Sequence, residues 1–97
     1  MRNHWLVAKP IGADKKRTTA NLSEALGAEL TQQRTKHRWS QERLAEKLGY
    51  DVSYIGQIER GEKSPTLHTL MNFAEVFDLR ISALIRAAES RIEVPQK

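Results

Sequence analysis

Apolar side chains recur every three or four positions along most of this sequence, which is the spacing of one face of an α-helix. The first helix is predicted to run from about Asn21 to His37, because Asn21 is a favourable N-cap residue. Leu22, Leu26 and Leu30 follow at four-residue intervals and are expected to face a core.

Two further short helices, joined by a tight turn, are predicted within residues 40–61. Ser40 is expected to cap the first of them, and Gly49 to end it as a left-handed C-terminal residue. Asp51 is expected to cap the second, which ends at Gly61. The residues predicted to be buried in this pair of helices are Leu44, Ala45, Leu48, Ile55 and Ile58.

Thr66 is a favourable cap for a fourth helix, and Ser82 for a fifth helix over roughly residues 83–91. The apolar positions at helical spacing in these two helices are Leu67, Leu70, Met71, Ala74 and Phe77, followed by Leu84, Ile85 and Ala88. Five short helices with no strand signal after residue 20 predict an all-α fold.

The same pattern divides the chain into three regions. Residues 1–20 lack helical periodicity and are predicted to form a flexible basic N-terminal arm, residues 21–92 the helical domain, and residues 93–97 a tail. The apolar patch at residues 5–7 within the arm has two interpretations: a strand that pairs in a dimer, or a segment that docks on the core.

The formal net charge of +4 and the pI near 9.7 favour a polyanionic partner. The surplus of positive charge lies in the first 20 residues, where Asp14 is the single acidic side chain. From residue 21 onward the acidic and basic side chains balance. We therefore consider two roles for the arm, contact with nucleic acid and simple solubilisation.

Several classes of function are disfavoured by what the sequence lacks. There is no cysteine, so disulfides and thiolate metal sites are excluded, and no apolar run approaches the roughly 20 residues that cross a bilayer. His4, His37 and His68 lie on separate predicted segments without acidic companions at metal-ligand spacing. We expect a cytoplasmic protein that is not an enzyme, with no metal, no cofactor and no membrane partner.

Residues 40–61 have the length and order of a helix-turn-helix, whose second helix can lie in the major groove of DNA. Gln57 can form two hydrogen bonds with adenine, and Val52 can touch a thymine methyl group. Gly56 is unusual inside a helix, and is either a point of close backbone approach or a packing glycine. The predicted base-reading residues are Val52, Ser53, Gly56 and Gln57.

Contacts with DNA phosphates are expected from helix N-termini and from the polar or basic side chains that flank them. The residues predicted to contact the DNA backbone are Arg38, Ser40, Gln41, Arg43, Tyr54, Arg60, Lys63, Ser64 and Thr66. For any single arginine or lysine in this set, a solvated surface residue is the alternative interpretation.

The stretch from about Leu22 to Leu84 resembles the phage-repressor-type, or Xre/Cro-like, helix-turn-helix domains of transcriptional regulators. The positions that carry the resemblance are Arg34, Ser40-Gln41-Glu42, Leu44-Ala45, Leu48-Gly49, Ile55, Ile58-Glu59-Arg60-Gly61, Pro65 and Leu67. Their joint order and spacing are specific, although each element alone is weak. The resemblance implies a five-helix bundle of the phage-repressor DNA-binding type.

The resemblance also implies roles for individual residues. Gln41 would bond a phosphate at the start of the second helix, and Val52, Ser53 and Gln57 would occupy the base-reading positions. A partly buried structural ion pair would join Arg34 to Glu59, which makes Glu59 a fold residue. This chain departs from many relatives, which carry several polar residues at the start of the third helix, so base readout is expected to lean on DNA shape.

Residues 51–55 and the short length are similar to the controller proteins of restriction-modification systems, which are small autoregulating homodimers. We expect a homodimer on double-stranded DNA, because one helix reads few base pairs and two half-sites about 10 base pairs apart supply affinity. The predicted dimer interface is Phe77, Leu79, Ile85, Ala88 and Ile92, unless these side chains only close the monomer core. The alternative function is an antitoxin, which would bind a toxin protein as well as its own operator.

Overall fold

The computed structural model of the protein describes the backbone of residues 13–92 and the side chains of residues 21–92. It contains five helices within this range: α1 (Ala13–Lys36), α2 (Gln41–Leu48), α3 (Val52–Glu59), α4 (Leu67–Val76) and α5 (Ile81–Arg91). No strand occurs between residues 13 and 92, so the all-α prediction is confirmed. The apolar patch at residues 5–7, His4 and the tail lie outside the described residues.

Two predicted helix boundaries are wrong. α1 begins at Ala13, so Asn21 lies inside this helix and residues 13–20 do not belong to a non-helical arm. Residues 13–20 include alanine, lysine and arginine, which favour helix, but they add no apolar stripe that periodicity could detect. α5 begins at Ile81, which packs against the core, so Ser82 lies inside the helix and does not cap it.

The caps predicted for α2 and α4 are confirmed. The Ser40 hydroxyl accepts a hydrogen bond from the backbone N–H of Arg43 at 3.0 Å, and the Thr66 hydroxyl accepts one from the N–H of Thr69 at 3.1 Å. Asp51 occupies the N-cap position of α3, but its side chain makes no capping hydrogen bond. The start of α3 is therefore fixed by its packing and its turn.

Four helices end in the same backbone arrangement, with a residue of positive φ after the last turn. These residues are Arg38 (φ 61°), Gly49 (φ 75°), Gly61 (φ 77°) and Asp78 (φ 58°). After α3, the N–H of Glu62 donates to the carbonyl of Gln57 at 2.8 Å and the N–H of Gly61 donates to that of Ile58 at 3.0 Å. This is the hydrogen-bond pattern of a Schellman motif, which turns the chain sharply between helices.

The core lies between the five helices, and each helix contributes at least one buried apolar side chain. The largest fully buried side chains are Phe73, Leu30, Leu44, Ile55, Ile58 and Leu84. Leu22 is 48% exposed, so the predicted stripe on α1 brings only two of its three leucines into the core. On α4, Leu67 and Met71 are 70% and 53% exposed, although they share the helical spacing of the buried residues.

For two of the five residues in the predicted dimer interface, the structure favours the alternative that they close the monomer core. Phe77 and Ala88 are 2% and 1% exposed, because both are buried in the core of the monomer. Leu79 and Ile92 are half-buried against the same core. Ile85 is 43% exposed and remains accessible on α5.

No helix within residues 13–92 combines the length and the apolar composition needed to cross a membrane.

α1 crosses the end of α3 at Gly27, where no side chain separates the two backbones. A Cβ atom at this position would lie 2.4 Å from the carbonyl oxygen of Ile58 and 2.6 Å from that of Glu59. A Cβ at Gly61 would lie 2.9 Å from the Cα of Glu24 in the same crossing. The separation of α1 and α3 therefore depends on glycine at both positions.

A polar link joins α1 to α5. The Glu29 side chain is 8% exposed and accepts hydrogen bonds from Arg91 Nε at 3.1 Å and from Gln33 Nε2 at 2.9 Å. A second nitrogen of Arg91 donates to the side-chain oxygen of Gln32. This buried carboxylate has its partners, so α5 is held on α1 by a polar contact as well as by apolar packing.

Candidate nucleic-acid interface

α3 has one buried face and one exposed face. Ile55 and Ile58 are fully buried, whereas Val52 is 37% exposed and Ser53 is exposed beside it. Gln57 lies one turn further along and is half-buried. Three of the four predicted base-reading side chains therefore have accessible surface on this helix.

Gly56 is the exception, because it is buried and does not face solvent. A Cβ atom at this position would lie 3.0 Å from Nη1 of Arg60, so the guanidinium group covers the glycine. This conformation therefore does not support the base-reading role predicted for Gly56. The helix backbone becomes accessible at Gly56 only when the Arg60 side chain moves.

Glu62 holds Arg60 in this position. Nε of Arg60 donates to Oε2 of Glu62 at 2.7 Å, and Nη2 donates to Oε1 at 3.2 Å. This hydrogen-bonded pairing raises the pKa of Arg60 and lowers the pKa of Glu62. Both side chains are exposed, so the pair adds little to stability, but it neutralises a cation that was predicted to meet phosphate.

The other predicted cations differ in their pairing. Arg43 donates to Glu46 on α2 at 2.9 Å. Arg38 and Lys63 form no ion pair among residues 21–92. The Lys63 ammonium lies 6.0 Å from the centroid of the Tyr54 ring on α3. These two residues, both predicted to contact the DNA backbone, are therefore close together.

The serine and threonine hydroxyl groups predicted to contact phosphates already have hydrogen-bond partners. The Ser40 hydroxyl acts as an acceptor, so its proton remains free to be donated. The Thr66 hydroxyl accepts from the backbone of Thr69 and donates to the hydroxyl of that residue at 3.0 Å. The Ser64 hydroxyl is hydrogen-bonded to that of Ser23, which ties the loop after α3 to α1.

A connected group of polar side chains joins α1, α2 and α3. Arg34 donates to Glu59 through Nε at 2.7 Å and through Nη2 at 3.1 Å, so the ion pair implied by the resemblance is present. Its side chains are 16% and 5% exposed, which makes it partly buried. Arg34 Nη1 also donates to the carbonyl of Trp39 at 2.8 Å, and Gln41 Nε2 donates to Glu59 Oε1 at 2.8 Å.

The described residues include no group of three or more histidine, cysteine or acidic side chains that could hold a metal ion. His37 packs instead beside two aromatic rings, with centroid distances of 4.5 Å to Trp39 and 5.5 Å to Phe77.

A helix-turn-helix family model matches residues 30–84, which include α2, the turn, α3 and α4. The chain belongs to the helix-turn-helix family. Its relatives place it with the Xre-like regulators, so the resemblance to the phage-repressor type is confirmed. Members of this family are DNA-binding transcriptional regulators.

Two curated relatives of this helix-turn-helix protein match over most of its length. It is 40% identical over 70 residues to the HTH-type transcriptional regulator SutR of Escherichia coli (strain K12). That match covers 72% of this chain but only 39% of SutR. It is 34% identical over 65 residues to Control protein C.SmaI of Serratia marcescens, covering 67% of this chain and 77% of the relative.

Solved structures of two regulators have a similar fold. The restriction-modification controller protein C.AhdI from Aeromonas hydrophila has a TM-score of 0.62 and 35% identity, over 67% of this chain and 97% of that one. The clp gene regulator ClgR from C. glutamicum has a TM-score of 0.71 over 76% of this chain and 96% of that one. Its 24% identity supports the fold alone.

Three contacts in this helix-turn-helix surface were not predicted from the sequence. Glu62 covers the charge of Arg60, Ser23 engages the hydroxyl of Ser64, and Glu59 engages the amide of Gln41. The last two depend on where side chains from different segments meet, whereas Arg60 and Glu62 are only two residues apart. Alternating charge at positions 60 and 62 could have indicated the first pair, but neither serine nor glutamine has a preferred partner.

Proposed function

We propose that this helix-turn-helix protein is a sequence-specific regulator of transcription that binds double-stranded DNA with α3 in the major groove. The observation that carries the proposal is the two-sided geometry of α3. Its inner face is fixed in the core by Ile55 and Ile58, while Val52 and Ser53 are exposed on its first turn. The N-terminal residues of a recognition helix are those that normally reach base edges.

Side chains around α3 supply the contacts with the DNA backbone in this proposal. Gln41 and Ser40 lie at the start of α2, where unpaired backbone N–H groups favour an anion. Lys63 and Tyr54 lie together beside α3, and Lys63 has no acidic partner among residues 21–92. These contacts would position α3 without reading sequence.

The protein would bind a near-palindromic operator as a homodimer. A two-fold dimer presents two copies of α3 about one helical turn of DNA apart, which supplies the affinity that one short helix lacks. Ile85 is the accessible part of the interface predicted on α5, at 43% exposure, with Leu79 and Ile92 half-buried nearby in the core packing. A cytoplasmic location follows from this role, and the proposal includes no enzymatic step and no cofactor.

Selection of bound duplexes from a random DNA library, with the full-length chain, tests this function. A two-fold symmetric motif is the expected result. The control is the double variant Val52→Glu, Ser53→Glu, which places two negative charges on the exposed turn of α3 and should enrich nothing. Absence of enrichment by the unmodified chain, with folding verified by circular dichroism, would overturn the proposal and favour the alternative protein-binding role.

A further inference from the structure

Gln41 is the first residue of α2, and its side chain is engaged within the protein before any ligand arrives. Its Nε2 donates to Oε1 of Glu59 at 2.8 Å, across the space between α2 and the end of α3. A carboxylate accepts hydrogen bonds but does not donate them, so the nitrogen of the amide must face Glu59. The second N–H of the same nitrogen then has a fixed direction and remains available.

Glu59 is itself held by Arg34. Its two carboxylate oxygens accept hydrogen bonds from Nε and Nη2 of Arg34, and Oε1 also accepts the bond from Gln41. The third nitrogen of Arg34 donates to the carbonyl of Trp39, at the entrance to α2. One guanidinium group thus fixes both the acceptor of the Gln41 amide and the backbone that leads to it.

Burial makes this arrangement rigid. The Glu59 side chain is 5% exposed and that of Arg34 is 16% exposed, so little water competes for their hydrogen bonds. Gln41 is half-buried. A glutamine at the edge of a protein normally loses rotational freedom when it binds, which lowers affinity by roughly two- to tenfold.

We propose that Glu59 is a positioning residue for DNA binding, which holds the Gln41 amide in the orientation that donates to a backbone phosphate. The inference rests on the proposed function, since it assigns a phosphate as the ligand of Gln41. The Arg34–Glu59 pair then contributes to affinity through Gln41, in addition to joining α1 and α3. The Gln41 side chain loses little further rotational freedom when DNA binds, because folding has already ordered it.

A double-mutant cycle on the full-length chain and its selected operator tests this coupling. Gln41→Ala should weaken binding roughly tenfold, the typical effect of losing a hydrogen bond to a charged group. In Glu59→Gln, one acceptor oxygen becomes a donor nitrogen, so the side chain cannot accept from all three donors. We expect Glu59→Gln to weaken binding about threefold alone and less than about twofold in the Gln41→Ala background.

Stability, measured by urea unfolding, distinguishes positioning from a purely structural role. Glu59→Gln should lower stability in both backgrounds, because it disrupts the pair with Arg34, while its effect on affinity requires Gln41. If the two effects on affinity are additive, the inference is overturned. If the unmodified chain binds no duplex, the proposed function fails and the inference fails with it.

If Glu59→Gln does not fold, NMR relaxation measurements on the unmodified chain test whether the Gln41 amide is held rigidly. The nitrogen of the Gln41 side-chain amide should then show an order parameter close to the value of about 0.85 that is typical of rigid backbone. An order parameter below about 0.6 would show a freely moving amide and would overturn the proposal.

Discussion

Gly27 and Gly56 both lie inside helices, where glycine costs roughly 1 kcal/mol relative to alanine. At Gly27 a Cβ would meet the backbone carbonyl oxygens of Ile58 and Glu59, which cannot move independently of α3. At Gly56 a Cβ would meet only the end of the Arg60 side chain. The first glycine is therefore required by packing, and the second is not.

We expect Gly27→Ala to lower the free energy of unfolding by about 1–3 kcal/mol, because α1 must move away from α3. Gly56→Ala is the matched control, and should leave stability unchanged or raise it by up to about 1 kcal/mol. Urea denaturation of both variants measures the difference. Equal losses in the two variants would contradict the close approach of α1 to α3.

In the proposed function, Gln57 is the residue of α3 whose side chain can form two hydrogen bonds with a base. We expect Gln57→Ala to lose about 1–3 kcal/mol of binding free energy on the selected operator, with relaxed preference at the base pair that it contacts. Binding to random duplex should change little. Competition assays with both DNAs measure the two effects, and an equal loss on each would show that Gln57 does not read bases.

Individual residues were predictable where a local rule decides them. Ser40 and Thr66 are caps, and Gly49 turns the chain, because each role depends on a few neighbouring backbone atoms. The cover of Gly56 by Arg60 was not predictable in the same way. The flexible guanidinium group of Arg60 can contact solvent, a phosphate or Glu62, and a local rule does not determine which of them it contacts.

At the scale of elements, α5 is held on α1 by apolar packing and by the contact between Arg91 and Glu29. Glu29 is buried, so loss of its cationic partner leaves a carboxylate with Gln33 as its remaining described donor. The penalty for an incompletely satisfied buried group exceeds the small value of an exposed ion pair. The position of α5 should therefore be sensitive to Arg91.

Arg91→Ala is expected to lower the free energy of unfolding by about 1–3 kcal/mol. Arg86 is exposed on the same helix and has no hydrogen bond among the side chains described, so Arg86→Ala should change stability by less than about 0.5 kcal/mol. Thermal unfolding of both variants compares them. Indistinguishable transitions would mean that the Arg91 contact does not hold α5.

Sequence patterns gave the number and order of the helices after residue 20, because the core requires apolar residues at helical spacing. They missed the extension of α1 back to Ala13, since the sequence of that segment has no stripe of large apolar residues at helical spacing. They also placed Phe77 and Ala88 in a dimer interface. An apolar stripe does not itself say whether it is covered by the same chain or by a second one.

For the molecule as a whole, the positive surplus precedes residue 21. We expect the triple variant Lys15→Gln, Lys16→Gln, Arg17→Gln to reduce the salt dependence of DNA binding if these cations neutralise phosphates. Three lost contacts would flatten the slope of log K against log salt by up to about 2.7. Binding isotherms at several salt concentrations measure it, and an unchanged slope would make this segment a solubilising one.

Assembly can be tested on α4 and α5, which both expose large apolar side chains. If the chain forms the proposed homodimer, Ile85→Asp should shift the sedimentation mass toward monomer, because a buried unpaired carboxylate disfavours an apolar interface. Met71→Asp is the matched control on α4, where the side chain is 53% exposed, and should leave the dimer intact. The reverse outcome would move the interface from α5 to α4.

The division of α3 into two faces has a consequence for how this protein can diverge. Exposed positions such as Val52 and Ser53 usually accept substitution with less than about 0.5 kcal/mol of change in stability. Substitution at Gly27 or Glu59 is restricted, because both residues contact atoms of other helices. A duplicated gene could therefore acquire a new operator through the exposed turn while retaining its scaffold, so that specificity evolves almost independently of folding.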